Sequence, residues 1–457
     1  MMFVEKDTPL EARAAALPAA KAPAPVEAPV PPTPALSSGF CQANTLSRRA
    51  FVRLAAGLGL AAAGGSGIIA ALGGCAAGTA GRTLTDMGGR EVHLPETVSR
   101  VLCTNPIGTV DVYLLDPSLL VGWNFKPQAA DAAFLDPATL ELPSLGVWMG
   151  AGSVPNAEEV LSARPDALLC FWSTDAAGVA MADSIQEEMR LPVVLCDCNL
   201  ERVVETYRFL GELLGAGTGA AGTDGQPGAP APAASGATSA APAAAASAAV
   251  AGTATPAALT QRLETLTAFF AEKLELIRST VARIPQEELR TVFLAEGKGG
   301  LQTDPVGSLH VQDALDLLHT LNVVDLPGSE GQGMGMPSVS IEQIITWNPS
   351  AVLVSEYSMS DTAKSDLYNE IRADRNWNTV SAVAAGEVYQ IPQSPFSWFG
   401  RPPSALRLLG CLWLLCCLYP QRAEAAGIKL ESEVREFFSL CFSRELTEAE
   451  IAALLKQ

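Results

Sequence analysis

The feature that most constrains this chain is a gapless internal repeat. Glu158-Glu159-Val160-Leu161-Ser162-Ala163-Arg164-Pro165-Asp166-Ala167-Leu168-Leu169 aligns with Glu342-Gln343-Ile344-Ile345-Thr346-Trp347-Asn348-Pro349-Ser350-Ala351-Val352-Leu353. A capping residue, Asn156 or Ser340, stands two positions before each copy. Glu159 or Gln343 follows that cap at the spacing of a capping box. Each copy therefore predicts a short capped helix, a proline turn and a buried strand, and a chain carrying the unit twice is built from two similar halves.

The surrounding pattern agrees. Short apolar runs at Arg100–Thr104, Leu119–Gly122, Ala167–Phe171 and Val193–Cys196 alternate with helical stretches such as Ala157–Ala163 and Ala177–Met189. The second half repeats this with runs at Thr291–Ala295, Val323–Leu326, Ala351–Ser355 and Val388–Ile391. Such alternation predicts α/β lobes with parallel sheets. Between the halves, Leu259, Leu263, Leu266, Phe270, Leu274, Ile277, Val281 and Ile284 recur at spacings of three and four, with Thr255-Pro256 as N-cap and first helical residue. That stripe predicts one long amphipathic helix, a spine packed across two lobes. The apolar stretch Leu406–Leu418 lies between Pro402-Pro403 and Pro420 and is too short to span a bilayer, so it predicts a buried core helix.

Two regions read differently. Residues 1–46 are Ala- and Pro-rich without an apolar period. Then Ser47-Arg48-Arg49-Ala50-Phe51-Val52-Arg53 resembles a twin-arginine (Tat) export signal. The uncharged run Leu54–Ala71 and Leu72-Gly73-Gly74-Cys75 resemble the rest of a lipoprotein signal peptide, with Cys75 as the lipid-bearing residue. A membrane-spanning helix followed by an ordinary cysteine is the blander reading. Residues 216–258 are almost wholly Ala, Gly, Pro, Ser and Thr, with Asp224 their only charge, and read as a flexible insertion. The expected organisation is 1–75 extension plus signal, 76–83 linker, 84–215 N-terminal lobe, 216–258 insertion, 259–284 backbone helix and 289–457 C-terminal lobe.

Composition excludes some functions. The formal charge of −19 argues against nucleic acid, whose phosphates require clustered Lys and Arg. Ten cysteines are present, and those beyond Cys41 and Cys75 mostly sit in apolar runs, where Cys behaves as a small hydrophobe. Cys196-x-Cys198 lacks the two-residue spacer of zinc and thioredoxin motifs. Three histidines, of which His310 and His319 stand nine apart, do not make a directly ligated zinc site, so no metal ligands are assigned. Gly297-Lys298-Gly299-Gly300 lacks phosphate-loop spacing, and neither Gly-x-Ser-x-Gly nor His-Glu-x-x-His occurs, so no catalytic residues or cofactor are assigned.

A family resemblance rests on several segments in order. Thr85-Asp86-Met87-Gly88-Gly89-Arg90-Glu91-Val92 with Pro95 and Ser99-Arg100-Val101 resembles the start of the periplasmic iron-siderophore and cobalamin binding proteins. So do Asn156-Ala157-Glu158 with Arg164-Pro165-Asp166, Val339-Ser340-Ile341-Glu342 with Asn348-Pro349, and the tail Trp377, Ala382-Val383, Gly386-Glu387-Val388-Tyr389. The resemblance covers about 83–445 apart from the insertion. It implies two Rossmann-like α/β lobes bridged by a single long helix, with a metal chelate bound in the cleft. It also implies a monomeric, extracytoplasmic lipoprotein that delivers its ligand to an ABC importer permease dimer. One exposed Glu per lobe docks the permease in that family, and Glu158 and Glu342 hold those positions here. A first-turn Glu also simply favours the helix dipole.

The ligand is expected beyond the carboxyl ends of the strands. Asn105-Pro106, Trp123, Trp148 and Trp172 follow strand signals in the first lobe, and Tyr357, Phe396 and Trp398 in the second. Flat aromatic walls suit a conjugated or chelated ligand, although aromatics at strand ends are as often core. Lys298 and Arg401 could neutralise an anionic chelate, with Lys126 a weaker candidate; each also reads as a solvated charge. An iron-siderophore leads, a corrinoid or haem follows, and an oxyanion such as molybdate or tungstate is the alternative. An extracellular redox or metal-handling protein using the surplus cysteines is the competing class.

Overall fold

A computed structural model describes residues 81–129, 131–148, 154–216, 255–324, 336–356 and 366–456. The readings made for Arg48, Arg49, Cys75, Tyr357 and most of the Ala-rich insertion lie outside the described residues.

The first lobe opens with an antiparallel hairpin, β1 (Gly81–Thr85) and β2 (Glu91–Pro95). Its turn is closed by Asp86, whose carboxylate accepts from the N–H groups of Gly88 and Arg90 and pairs with the Arg90 guanidinium at 2.9 Å. Asp86 also accepts from Leu195 N–H at 3.0 Å, which pins the hairpin to the sheet. The hairpin thus takes in residues 81–83, part of the stretch read as linker.

Strand β3 (Val101–Cys103), helix α1 (Pro106–Leu115), helix α2 (Ala157–Ala163), strand β4 (Ala167–Trp172), helix α3 (Ala176–Met189), strand β5 (Val193–Asp197) and helix α4 (Val203–Leu213) follow. The three strands form a parallel sheet in the order β3-β4-β5, with Cys103 opposite Leu169 and Leu169 opposite Val194. A Cβ on Gly108 would stand 2.4 Å from the Phe171 ring, so α1 approaches β4 only because that residue has no side chain. The strand expected at Leu119–Gly122 reduces to one bridge between Val101 and Leu120, because Pro117–Leu119 closes a 3-10 turn.

The spine is α5 (Pro256–Val281), N-capped by the Thr255 hydroxyl. Its apolar stripe is buried as the spacing predicts, together with Phe269 and Lys273. The helix stops three residues before Ile284, which is still buried. The second lobe contains strand β6 (Thr291–Ala295), helix α6 (Gln312–Leu317), strand β7 (Leu321–Asn322), helix α7 (Ile341–Trp347) and strand β8 (Ala351–Val354). Helix α8 (Leu367–Ala373), helix α9 (Ser381–Ala384) and strand β9 (Val388–Gln390) complete its α/β part. Its parallel sheet has the order β7-β6-β8-β9. Helices α10 (Arg407–Leu418), α11 (Pro420–Ala425), α12 (Leu430–Phe442) and α13 (Glu448–Leu454) close the chain. Helix α10 is buried almost throughout, as expected for a core helix. No helix among the described residues is long and apolar enough to cross a membrane.

The repeat is a structural one. Both copies end in a left-handed residue, Arg164 at φ 49° and Asn348 at φ 47°, which stops the helix before the proline. Both then pin the central strand to its neighbour through one position. Asp166 accepts from the N–H groups of Ser99 and Arg100 at 2.8 and 2.9 Å. The Ser350 hydroxyl oxygen, its equivalent, accepts from Thr291 N–H at 2.8 Å. Asn156 caps Glu158 N–H and Ser340 caps Gln343 N–H, but the reciprocal half of a capping box forms at Thr447 and Glu450 in α13 rather than in the repeats.

Each lobe has its own core on one face of its sheet. Val160, Leu168, Cys170, Ile185 and Leu195 fill one, and Phe293, Ile344, Val352, Ile371 and Trp377 the other. The opposite faces share a single continuous core around α5, from Cys103 and Leu169 through Leu210, Leu266, Phe270 and Ile277 to Leu294, Leu414 and Phe437. Phe270 packs edge-on to Tyr207 at 4.9 Å, and Phe269 edge-on to Phe437 at 5.3 Å. Lys273 is buried on this face and held by Glu433 and Glu436 of α12, each at 2.7 Å.

Polar clasps cross between the lobes. Arg407, fully buried, pairs with Asp313 and donates to Cys198 O at 3.1 Å, while Asp313 also accepts from Leu200 N–H at 2.7 Å. Asp111 accepts from Ala405 N–H at 2.7 Å; burial pushes its pKa up to about 7, against the opposing pull of that hydrogen bond and of Arg407. Because the core is shared, Phe270→Ala is expected to cost about 3–5 kcal/mol and to shift both lobes together. Guanidinium unfolding followed by tryptophan fluorescence checks this. Two separate transitions would contradict the shared core.

Candidate functional site

The parallel sheets present their carboxyl ends to loops that carry most of the expected ligand residues. In the first lobe the chain leaves β3 through Thr104 and Asn105. Asn105 is 3% exposed; its carbonyl oxygen caps Gly108 N–H at 3.3 Å and its amide donates to Phe171 O at 2.8 Å. Pro106 starts α1. This pair therefore locks β3, α1 and β4 together, and the Asn105 side chain is consumed internally.

Trp148 donates its backbone N–H to Thr104 O at 3.0 Å and packs half-buried on the first lobe's own core, as does Trp172. The Trp148 indole N–H is buried without a protein acceptor. The Thr104 hydroxyl lies beside the Cys170 thiol but makes no hydrogen bond of good geometry.

Three expected wall residues lie elsewhere. Trp123 is 2% exposed, donates its indole N–H to Thr139 O at 2.7 Å and stacks on Tyr113 at 5.8 Å. Phe396 packs edge-on to Tyr113 at 5.8 Å and against Trp123 at 6.2 Å. Trp398 is fully buried and donates to Ser394 O at 3.0 Å. The Trp123 and Trp398 rings belong to the shared core that joins the 392–406 segment to α1, and Phe396 packs half-buried against it. A strand-end position does not say which way the ring turns, and apolar burial decided it.

The second lobe supplies a buried polar cluster that the aromatic reading missed. Glu296 leaves β6 with 1% exposure, and neither of its carboxyl oxygens has a hydrogen bond of good geometry. The side chains of Ser355, just past β8, and of Asp304 lie next to it. Asp304 is 1% exposed and pairs through Oδ1 with Arg401 at 2.5 Å and with the Ser308 hydroxyl at 2.8 Å. Its Oδ2, the hydroxyls of Thr303 and Ser355, Arg401 Nε and His310 Nδ1 are all buried without a hydrogen bond of good geometry. Lys298, on the turn after Glu296, is exposed.

Electrostatics follow from this crowding. Burial pushes the Glu296 pKa up to about 8; the Asp304 carboxylate adds to the rise and Arg401 opposes it. Burial, helped by Arg401, lowers His310 to about 4, so its ring is neutral near pH 7. The cluster then holds one cation, one anion and several unused donors. A carboxylate set directly after a buried strand and before Gly297 was visible in the sequence, and the strand-end rule applied to polar residues would have selected it.

Glu158 and Glu342, the expected docking pair, stand at equivalent places. Both are exposed in the first turns of α2 and α7. The Glu342 carboxylate accepts from its own N–H and from the Ser340 hydroxyl, which lowers its pKa. Three residues on, Leu161 and Ile345 are 49% and 40% exposed.

The eight described cysteines are all free thiols. Cys103, Cys170, Cys196, Cys198, Cys411 and Cys441 are buried, and Cys416 and Cys417 are half-buried. Burial raises every one of these pKa values, to about 11 for Cys170 and Cys416 and about 12 for Cys417. A thiol held protonated is a poor nucleophile. Dithionitrobenzoate on native protein at pH 8 is therefore expected to spare the six buried thiols and to reach Cys416 and Cys417 slowly, with all eight reacting in denaturant. Rapid native labelling of a buried thiol would restore the redox reading.

Residues 246–395 match the periplasmic binding protein family. A 104-residue stretch, 23% of this chain, is 30% identical to the molybdate-binding protein MolA of Haemophilus influenzae; it spans only 27% of that protein. Among solved structures, an ABC transporter solute binding protein from Sulfurospirillum deleyianum superposes with a TM-score of 0.64 at 26% identity, covering 82% of this chain and 99% of that one. Molybdate-bound MolA superposes with a TM-score of 0.54 at 17% identity, covering 80% and 99%, a likeness of fold.

Proposed function

We propose that this chain, a periplasmic binding protein by fold and by family match, captures a compact oxygen-rich anion between its lobes and hands it to an ABC importer. One observation carries the ligand class. The buried groups without a well-formed hydrogen bond include donors on both lobes, Thr104 and Trp148 on the first and Thr303, Ser355 and Arg401 Nε on the second, beside the carboxyls of Glu296 and Asp304. A buried donor without a partner costs about 1–3 kcal/mol. Several of them at the ends of both sheets suit a ligand whose surface is all acceptors, such as molybdate or tungstate. The match to the molybdate-binding protein supports the same choice.

The expectation of a broad aromatic cleft weakens with Trp123 and Trp398 in the core and Phe396 packed against it. A ferric chelate is the second reading, favoured by the half-buried rings of Trp148 and Trp172. Isothermal titration of the purified protein with molybdate, tungstate, a ferric siderophore, cobalamin and haem separates them. The reading expects an oxyanion to bind at micromolar or better affinity, and chelate binding without oxyanion binding would overturn it.

Delivery uses the paired faces of α2 and α7. Glu158 and Glu342 offer carboxylates to arginines of a permease dimer, and Leu161 and Ile345 add an apolar contact beside each. Two equivalent patches suit a partner with two equivalent subunits. Export through the Arg48-Arg49 signal and a lipid on Cys75 would hold the protein at the outer face of the membrane. The double variant E158A/E342A is expected to keep its ligand Kd within about twofold while uptake into vesicles bearing the importer falls at least tenfold. Unchanged uptake would remove the docking assignment.

A further inference from the structure

We propose that Glu296 enters the site as a neutral acid and donates its carboxyl O–H in a hydrogen bond to a ligand oxygen, keeping the proton, so that capture of the anion is tied to one proton. This rests on the oxyanion reading above. The geometry is a pair of buried carboxyls sharing one guanidinium. Asp304 takes the Arg401 charge at 2.5 Å and the Ser308 hydroxyl at 2.8 Å, which leaves Glu296 beside it with neither oxygen in a well-formed hydrogen bond. Two carboxylates cannot both stay ionised against one cation in a dry pocket, so one keeps its proton, and it is the one without the arginine. A neutral carboxylic acid is a donor as well as an acceptor. Held next to an anion it attracts, whereas ionised it would repel.

The groups around Glu296 come from several segments. Asp304 and His310 lie on the chain after β6, Ser355 just past β8, Arg401 on the segment after β9, and Asp313 of α6 and Arg407 of α10 stand behind His310. Arg407 and Asp313 neutralise each other, and His310 is neutral. Glu296 is therefore the member of the cluster poised to change charge above neutral pH, at about 8. Asp111, which titrates near 7 at the lobe junction, acts on the acid side of that step.

The sign follows directly. Below about pH 7 the Glu296 proton is already present and Glu296 adds no pH dependence of its own. Above about pH 8 a proton must be taken up on binding, so Kd rises on the order of tenfold from pH 7 to pH 9. Molybdate remains a dianion across this range and contributes no step of its own.

Titration calorimetry of molybdate between pH 6 and pH 9, in two buffers of different ionisation enthalpy, tests this on the wild-type protein. The expected result is the alkaline loss of affinity together with uptake of about half a proton per ligand at pH 8. E296Q, whose amide can donate but cannot titrate, should keep measurable molybdate binding and lose the alkaline fall. A wild-type affinity that is flat to pH 9 overturns the proton link alone. So does an E296Q protein that keeps the alkaline fall, or one that loses molybdate while unfolding at the wild-type temperature. A wild-type protein that binds molybdate at no pH removes the oxyanion reading, and this inference with it.

Discussion

The structure depends on one core that two lobes share. Apolar side chains from both sheets and from α1, α4, α10 and α12 meet around the spine α5, so separating the lobes would expose that face to water. Polar clasps strengthen the constraint. Arg407 reaches from α10 to Asp313 and to the backbone of Cys198, and breaking a buried ion pair of this kind leaves charges without compensation. Ser394 and Asp131, also buried, make a further bond across the lobes at 2.6 Å. With these in place the lobes are expected to keep nearly one separation whether or not a ligand is bound.

That constraint explains why the two halves resemble each other structurally yet differ chemically. In both, Arg100 or Arg290 crosses to backbone carbonyls at the start of the central strand, and Asp166 or Ser350 pins that strand. These bonds set the amino ends of the sheets and are shared. The carboxyl ends diverge. β3 leads into Thr104 and Asn105, where Asn105 is spent on capping α1, while β6 leads into Glu296, a buried carboxyl beside Ser355 and Asp304 with no hydrogen bond of good geometry. The scaffold is repeated, and the buried carboxyl and guanidinium groups at the strand ends are concentrated in one lobe.

Much of the scaffold was legible in the sequence because its signals are local. The stripe from Leu259 to Val281, the caps at Thr255, Asn156 and Ser340, and the apolar runs of β4, β6 and β8 each depend on neighbours a few residues away. Less was legible wherever partners are distant in sequence. Arg407 opens an apolar run, and its acid, Asp313, stands 94 residues earlier. Trp123 and Trp398 occupy strand-end positions like Trp148, but only tertiary packing turns them into the core. The cluster around Glu296 draws residues from several segments, so no spacing rule announces it. Its single sequence mark is an acid directly after a buried strand.

The central claim is that lobe separation is fixed by the shared core. Spin labels on Ser162→Cys and Thr346→Cys, exposed and equivalent positions on α2 and α7, report that separation directly by pulsed dipolar spectroscopy. The account predicts one narrow distance distribution whose mean moves by less than about 4 Å when molybdate is added. A larger displacement, or a broad free-state distribution that collapses on binding, would contradict it.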